Sequence, residues 1–358
     1  MGEEEELRAR PSIRGRGSRA NPGNRFESSH YEPSPEEEAD PGKPDTAFLP
    51  DFSESLITTN NSPDVGFTHS LNPYRGCEHG CVYCYARPTH EYLGFSAGLD
   101  FESKIMVKER APELLRRELS KPAWTGTPLA MSGVTDCYQP VEKRLRITRR
   151  CLEVMSAFHQ PVGIITKNGL ITRDLDLLGD MAARGLVHAH VSITTLRPEL
   201  TAKLEPRTAR PSLRLETVRQ LAAAGIPVNV MAAPVIPGLT DTELPAILEA
   251  AAEAGARSAG YTLLRLPLGV APLFEDWLDR HEPGKKDRVL SRIRAVRGGK
   301  LNDARFGSRM RGEGVFAEQI HTLFKISARR CGLDRGLPPL RTDRFQVPGK
   351  PRQLELEL

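Results

Sequence analysis

The sequence predicts an α/β protein built from about six βα units. Two observations carry this. Short apolar runs of strand length alternate with segments of helical period between residues 128 and 266. Glycines stand where the helical segments end, just before the next apolar run. Such alternation implies parallel strands joined by right-handed crossovers. The units can close as a partial (β/α)6 barrel or open as a doubly wound sheet. In either case the loops after the C-terminal strand ends build the site.

Residues 1–50 read as a disordered tail. Charged residues, Gly, Pro and Ser dominate there and large apolar side chains are scarce. Arg8, Arg10, Arg14, Arg16 and Arg19 form a short basic arm that reads as solvated. A strand near Phe67–Leu71 leads into a cysteine loop. Pro128–Ser132 is a strand ending at Gly133, followed by a helix over Arg146–Phe158 with Ile147, Cys151, Leu152, Met155 and Phe158 on one face. Pro161–Thr166 reads as a buried strand and Asp174–Arg184 as a helix stopped by Gly185. Val187–Ile193 is the next strand. Leu213, Leu215, Val218 and Leu221 give the apolar pattern of a helix over Pro211–Ala224. Pro227–Ile236 is a strand, Asp241–Ala254 a helix with Thr240 or Asp241 as N-cap, and Ser258–Leu266 the last strand.

This divides the chain into a tail (1–50), a core domain (65–270), a helical C-terminal extension (271–332) with helices over Pro272–Arg280 and Val315–Arg329, and a flexible Pro- and Arg-rich tail (333–358). A chain of 358 residues is long enough for one large α/β domain with appendages. No apolar run approaches the ~20 residues needed to cross a bilayer. The opening Glu3–Glu6 does not suit a signal peptide. The expectation is a cytoplasmic protein with no membrane partner, in a compartment where thiols stay reduced. A net charge of +4 does not by itself imply a nucleic-acid partner.

The chemistry concentrates in Asn72-Pro-Tyr-Arg-Gly-Cys77-Glu-His-Gly-Cys81-Val-Tyr-Cys84-Tyr85. Three thiolates at this spacing can hold one soft metal centre. A closed iron–sulfur cluster takes four cysteines, so three leave one iron of a four-iron cube open to a second molecule. The rival is structural zinc, with His79 or His90 completing the ligand set. A second cysteine pair is absent, because Cys137, Cys151 and Cys331 stand alone and far apart. A disulfide framework does not suit a long chain without a secretory signal.

The loop resembles the cluster loop of the radical S-adenosylmethionine (SAM) enzymes, and the order of cysteine loop then βα units matches their fold over roughly residues 65–270. Thr135-Asp-Cys-Tyr-Gln-Pro140 and Pro234-Val-Ile-Pro-Gly238 extend the resemblance to a bacterial subgroup related to spore photoproduct lyase. The resemblance implies a partial (β/α)6 barrel, with Cys77, Cys81 and Cys84 each ligating one iron of a [4Fe-4S] cluster. The fourth iron would bind the amino and carboxylate groups of SAM. Tyr83 would lie beside the adenine. Ser132, Gly133, Thr135 and Asp136 occupy the place where the family contacts the methionine amino group, although the family's common Gly-Gly-Glu is not present. Lys167 and Ser192 would reach the ribose or carboxylate, and Ile236 and Gly238 the adenine side. Cys137 would return a hydrogen atom to the product, with Tyr138 as relay. A flavodoxin or ferredoxin would supply electrons. The implied activity is hydrogen abstraction by a 5′-deoxyadenosyl radical from an unknown substrate, with lyase-like action on a nucleic acid as one candidate.

Residues 285–311 hold ten Lys and Arg against Asp287 and Asp303. The strip reads as a solvated helix face or as a phosphate-binding surface. The other functional classes are a zinc- or cluster-stabilised nucleic-acid-binding protein without catalysis, and an electron-transfer module that ignores SAM.

Overall fold

The computed structural model describes residues 13–27 and 45–349. Its strands are β1 (Ala47–Pro50), β2 (Ile57–Thr59), β3 (His69–Leu71), β4 (Tyr74–Arg75), β5 (Lys104–Val107), β6 (Leu129–Met131), β7 (Val162–Thr166), β8 (Val187–Ser192), β9 (Val228–Val235) and β10 (Ser258–Leu263). The main sheet runs β10-β9-β8-β7-β6-β3-β2. All its pairings are parallel except that of the edge strand β2 with β3. The strands from β3 to β10 therefore follow chain order without reversal. A doubly wound sheet needs a reversal, whereas sequential order sends every crossover the same way and curls the sheet into a partial barrel. A small sheet, β1-β5-β4, lies beside the cysteine loop.

The two faces of each strand have different tasks. Val187, Ala189 and Val191 of β8 and Val228, Val230 and Ala232 of β9 are at most 1% exposed. They pack with Cys151, Leu152, Met155 and Phe158 of the helix Ile147–Phe158 in the main core. The alternate positions of β8 are His188, His190 and Ser192, on the inner face of the curl. The His190 imidazole packs over Gly163 of β7, where a Cβ would lie 3.4 Å from Nε2, at ordinary contact distance.

Three expectations need correction. The helix after β8's loop (Pro211–Ala223) buries Arg214, Thr217, Val218 and Leu221 and leaves Leu213 half-exposed, because a buried carboxylate pulls Arg214 inward. Thr240 and Asp241 do not cap the helix Leu244–Glu253. Thr240 Oγ1 accepts from Ile236 N at 2.9 Å and Asp241 Oδ1 from Gly238 N at 3.0 Å, so both close the turn after β9. Residues 333–349 are not a free tail. Leu333 is buried and its carbonyl accepts from Ala259 N at 3.1 Å, Arg341 N donates to Gly185 O at 2.9 Å, and Phe345 fills the space above Gly126 and meets Phe158. A few apolar anchors suffice to dock a segment that is polar on average. The remainder of that expected tail, 350–358, lies outside the described residues.

The C-terminal extension is helical as expected. Val270–His281 stacks Phe274 on Trp277, and with Lys286–Ala295 it builds a second core that includes Tyr83, Ile236 and Leu239. Val315–Arg330 packs beside Leu244–Glu253. Among the described residues no helix is long and apolar enough to cross a membrane.

Burial pushes the imidazoles of His90 and His190 down to about 4. A histidine of the unfolded chain titrates near ~6.5. Between those values the unfolded chain binds a proton that the folded one refuses. This stability is whole above about pH 6.5 and falls as the pH drops toward 4. Moving from about pH 7 to about pH 5 is expected to cost about 2 kcal/mol for each of these histidines, read from urea midpoints. His190→Asn should remove one share of that slope, and an unchanged slope in the variant would contradict the assignment.

Candidate active site

The cysteine loop leaves β3, passes through β4 and is held open by two glycines. Gly76 has φ 77° and Gly80 φ 65°, values that glycine adopts without strain. A Cβ on Gly76 would come within 2.9 Å of both His90 Cε1 and Phe101 O, and one on Gly80 within 2.6 Å of Glu102 Oε2. Cys77 N donates to Phe101 O at 2.9 Å, and Cys84 N donates to Cys81 O at 3.2 Å. The three thiols are free, Cys77 and Cys81 buried and Cys84 half-buried. They lie close enough to repel as thiolates: burial pushes the thiols of Cys81 and Cys84 up, and Cys77 adds to both. A cationic centre would remove that penalty. Three free thiols on one rigid loop thus fit a cluster with one open iron.

The zinc alternative fits less well. His79 Nδ1 lies 3.3 Å from Asp136 Oδ2 and its Nε2 3.2 Å from Asn168 Nδ2. Burial opposes its charge, but Asp136 and Cys77 outweigh this and push it up to about 10. His90 bonds the Lys104 carbonyl at 2.9 Å between Phe95 and Phe101.

Two collars hold the loop. On the outer side, Glu102 pairs with Arg87, both fully buried, and accepts from Gly17 N and Ser18 N at 2.9 Å each. Arg87 Nε donates to Cys81 O at 3.0 Å and its Nη1 to Gly98 O at 2.8 Å. Gly17 lies flat against the Gly80 carbonyl, where any Cβ would collide. Residues 13–27, expected within a disordered tail, therefore form an ordered strap across the cysteine loop, and Arg19 ties it to Asp276. Residues 45–50, also within that expected tail, are ordered and contain β1. The rest of the expected tail, 1–12 and 28–44, lies outside the described residues.

On the inner side, the segment after β6 reaches the loop. Thr135 Oγ1 donates to Gly76 O at 2.6 Å, and Gln139 Oε1 accepts from Glu78 N at 2.9 Å. Asp136 accepts from Thr166 Oγ1, Lys167 N and Tyr138 N, each at 2.8 Å. Thr135 and Asp136 thus have their polar atoms engaged in positioning the loop. Ser132 has φ 84° and its Oγ accepts from Cys137 N at 2.9 Å, while the Gly133 carbonyl accepts from Tyr85 OH.

Across the strand ends, Lys167 Nζ donates to Ala233 O at 2.9 Å and Thr194 Oγ1 at 3.2 Å, and pairs with Glu205 at 3.3 Å. Its ammonium lies 5.8 Å from the centre of the Tyr83 ring. The Tyr83 hydroxyl is anchored by Glu205 and Thr194. Glu205 also pairs with Arg214, whose Nη1 donates to Ser192 O at 2.9 Å. Burial would raise the Glu205 carboxyl, but Arg214 and Lys167 hold it well below the usual carboxylate range. The structure brings Tyr83, Lys167, Ser192 and the buried Ile236 to this face, with Gly238 in the adjoining turn. Glu205, Arg214, Glu102 and Arg87 were not anticipated.

Cys137 is completely buried in the main core, near Tyr74 and Cys151, and Tyr138 OH donates to Asp174 Oδ2 at 3.0 Å. The structure thus encloses this thiol and directs the expected relay hydroxyl to a carboxylate.

A family model described as the radical SAM superfamily matches residues 71–251. The chain belongs to the radical SAM superfamily. An uncharacterized protein of Mycobacterium tuberculosis is 38% identical over 68% of this chain and 71% of its own length. One of Methanocaldococcus jannaschii is 29% identical over 50% of this chain and 64% of its own. Among solved structures, a spore photoproduct lyase variant superposes with TM-score 0.58 at 15% identity, covering 80% of this chain and 79% of that one. The lyase complexed with dinucleoside spore photoproduct gives 0.56 at 15% identity, with 79% of each chain covered. At this identity the likeness concerns the fold.

Two substitutions test the collars. Gly17→Val should displace the strap and lower the iron retained after reconstitution and gel filtration, while leaving the far-ultraviolet circular dichroism unchanged. Wild-type iron content would show that the strap does not position the loop. Glu205→Gln leaves Arg214 buried beside a neutral partner and is expected to cost about 3–5 kcal/mol in denaturant unfolding.

Proposed function

We propose that the protein is a radical SAM enzyme in which Cys77, Cys81 and Cys84 hold three irons of a [4Fe-4S] cluster and the strand ends bind SAM. When bound, cluster and SAM supply a one-electron cleavage that yields methionine and a 5′-deoxyadenosyl radical able to take hydrogen from an unreactive carbon. The observation that carries this reading is the placement of three free thiols beside an anchored aromatic and a cation, Tyr83 and Lys167, at the open end of a parallel strand array.

The chain's own residues have definable tasks. Lys167 has its three N–H donors on a carbonyl, a hydroxyl and Glu205, so it is a fixed positive charge beside the Tyr83 ring and acts on a bound anionic group through that charge. Tyr83, fixed through its hydroxyl, offers a ring face for a flat heterocycle, and Ile236 keeps water from that side. Ser192 continues the inner face of β8, on which His190 stands as a neutral imidazole available to a substrate. Enclosure of Cys137 favours a packing role there over hydrogen return. An external reductant such as a flavodoxin or ferredoxin would supply electrons, and the cytoplasm suits both thiols and cluster. A nucleic acid altered in a lyase-like reaction is the substrate class we favour, from the likeness to the spore photoproduct lyase fold.

Anaerobically reconstituted protein, reduced with dithionite and given SAM, should form 5′-deoxyadenosine. Lys167→Met removes this fixed positive charge and should lower that rate at least about tenfold, with unchanged iron content. No 5′-deoxyadenosine from iron-replete wild type, or one tightly bound zinc in place of iron, would overturn the proposal.

A further inference from the structure

A cleft of about 480 Å³ opens between the turn after β9 and the helix Lys286–Ala295. Its lining carries Arg197, Lys285, Arg288 and Arg292 against two carboxylates, Asp241 and Glu243. Those carboxylates are already occupied. Glu243 accepts from Thr195 Oγ1 and Leu196 N at 2.8 Å and from Arg197 Nε at 2.9 Å. Asp241 accepts from Gly238 N at 3.0 Å and meets Arg292 at 3.4 Å.

The arginines are positioned but not exhausted. Arg197 Nη2 donates to Leu239 O at 2.7 Å, and Arg288 Nη2 to Gly238 O at 3.0 Å. Arg292 lies on the Phe316 ring, 4.9 Å from its centre, and packs over Gly238, where a Cβ would come within 3.1 Å of its Cδ. Among the described residues no acceptor takes Arg197 Nη1, or Nε and Nη1 of Arg288. The side chains of Arg197 and Arg292 are 36% and 35% exposed, so the guanidinium groups are reachable. Guanidinium groups fixed by one edge, with the other edge free, suit a tetrahedral oxyanion.

Of the basic strip, Arg288 and Arg292 line this cleft together with Lys285, which already pairs with Glu282 at 2.5 Å, and several other members have partners elsewhere. Arg297 is buried and donates to four carbonyls, Arg309 pairs with Asp64, and Arg305 pairs with Asp303 and Glu313. The turn that lines the cleft also carries Ile236, which packs with Tyr83 in the second core. An anion bound here would therefore sit one turn away from the candidate active site.

We propose that this cleft binds a phosphate group, as monoester or diester, and so anchors the substrate at the rim of the strand-end face. The anchoring role rests on the radical-enzyme reading, whereas phosphate binding does not. The test uses the reconstituted full chain at low ionic strength, with inorganic phosphate and AMP by calorimetry and a labelled single-stranded oligonucleotide by anisotropy. The wild type should bind at least one of these probes, and Arg288→Gln/Arg292→Gln should weaken that binding at least about tenfold through two lost charge-assisted contacts. AMP bound as tightly as the oligonucleotide would mark a phosphorylated small molecule. A strong oligonucleotide preference that falls steeply with salt would mark a nucleic-acid strand. Equal binding by wild type and double variant, or none of the three probes binding the wild type, overturns the proposal. Arg288→Gln alone, with its melting temperature, covers a double variant that does not fold. Iron content and 5′-deoxyadenosine formation without added substrate should be unchanged in the variants, so failure of the cleft and failure of the radical chemistry read out separately.

Discussion

The cysteine loop depends on one buried ion pair. Glu102 and Arg87 are both fully enclosed, and such a pair is maintained only when the remaining donors and acceptors are also satisfied. Here the backbone completes the set. Gly17 N and Ser18 N approach the carboxylate, while the carbonyls of Cys81 and Gly98 approach the guanidinium. The pair therefore fixes the second cysteine's backbone, the turn at Gly98 and the strap from the N-terminal segment at once. Removing either partner would leave a charge buried beside the loop that must hold three thiolates.

The opposite wall depends on a second carboxylate, Glu205, which joins Lys167, Thr194, Tyr83 and Arg214. Lys167, Thr194 and Tyr83 come from different strand ends and loops, and Arg214 from the helix Pro211–Ala223. Sequential strand order makes this convergence possible, because every β-to-α loop emerges at one end of the curl. The same order separates the faces of β8: alternate residues serve the core, and the others, His188, His190 and Ser192, face inward. Tyr83 links the walls, lying one residue before the third cysteine while its hydroxyl reaches Glu205.

Much of this was legible in the sequence, for identifiable reasons. Strand and helix segments announce themselves through local period, so Pro161–Thr166 and Val187–Ile193 were found to within a residue or two. The three cysteines fall within eight residues, whereas Tyr83 and Lys167 were named only through the family resemblance. Glu102 and Glu205 carry no such signal. Their partners stand far along the chain, Gly17 for the first and Tyr83 for the second, and a buried carboxylate looks the same in sequence as a solvated one. The strap was hidden by the same average composition that suggested disorder: its hold comes from backbone N–H groups and a glycine contact, which composition does not register. Phe345 shows the converse, one aromatic docking a segment whose neighbours are polar.

The account's central claim is that three cysteines leave one iron free to receive SAM. The most direct measurement is electron paramagnetic resonance on anaerobically reconstituted, reduced protein, recorded with and without SAM. The expected result is a reduced-cluster signal whose g-values change when SAM is added. A cluster signal indifferent to SAM would contradict the claim and point to electron transfer, and iron-free protein holding one zinc would contradict the cluster itself.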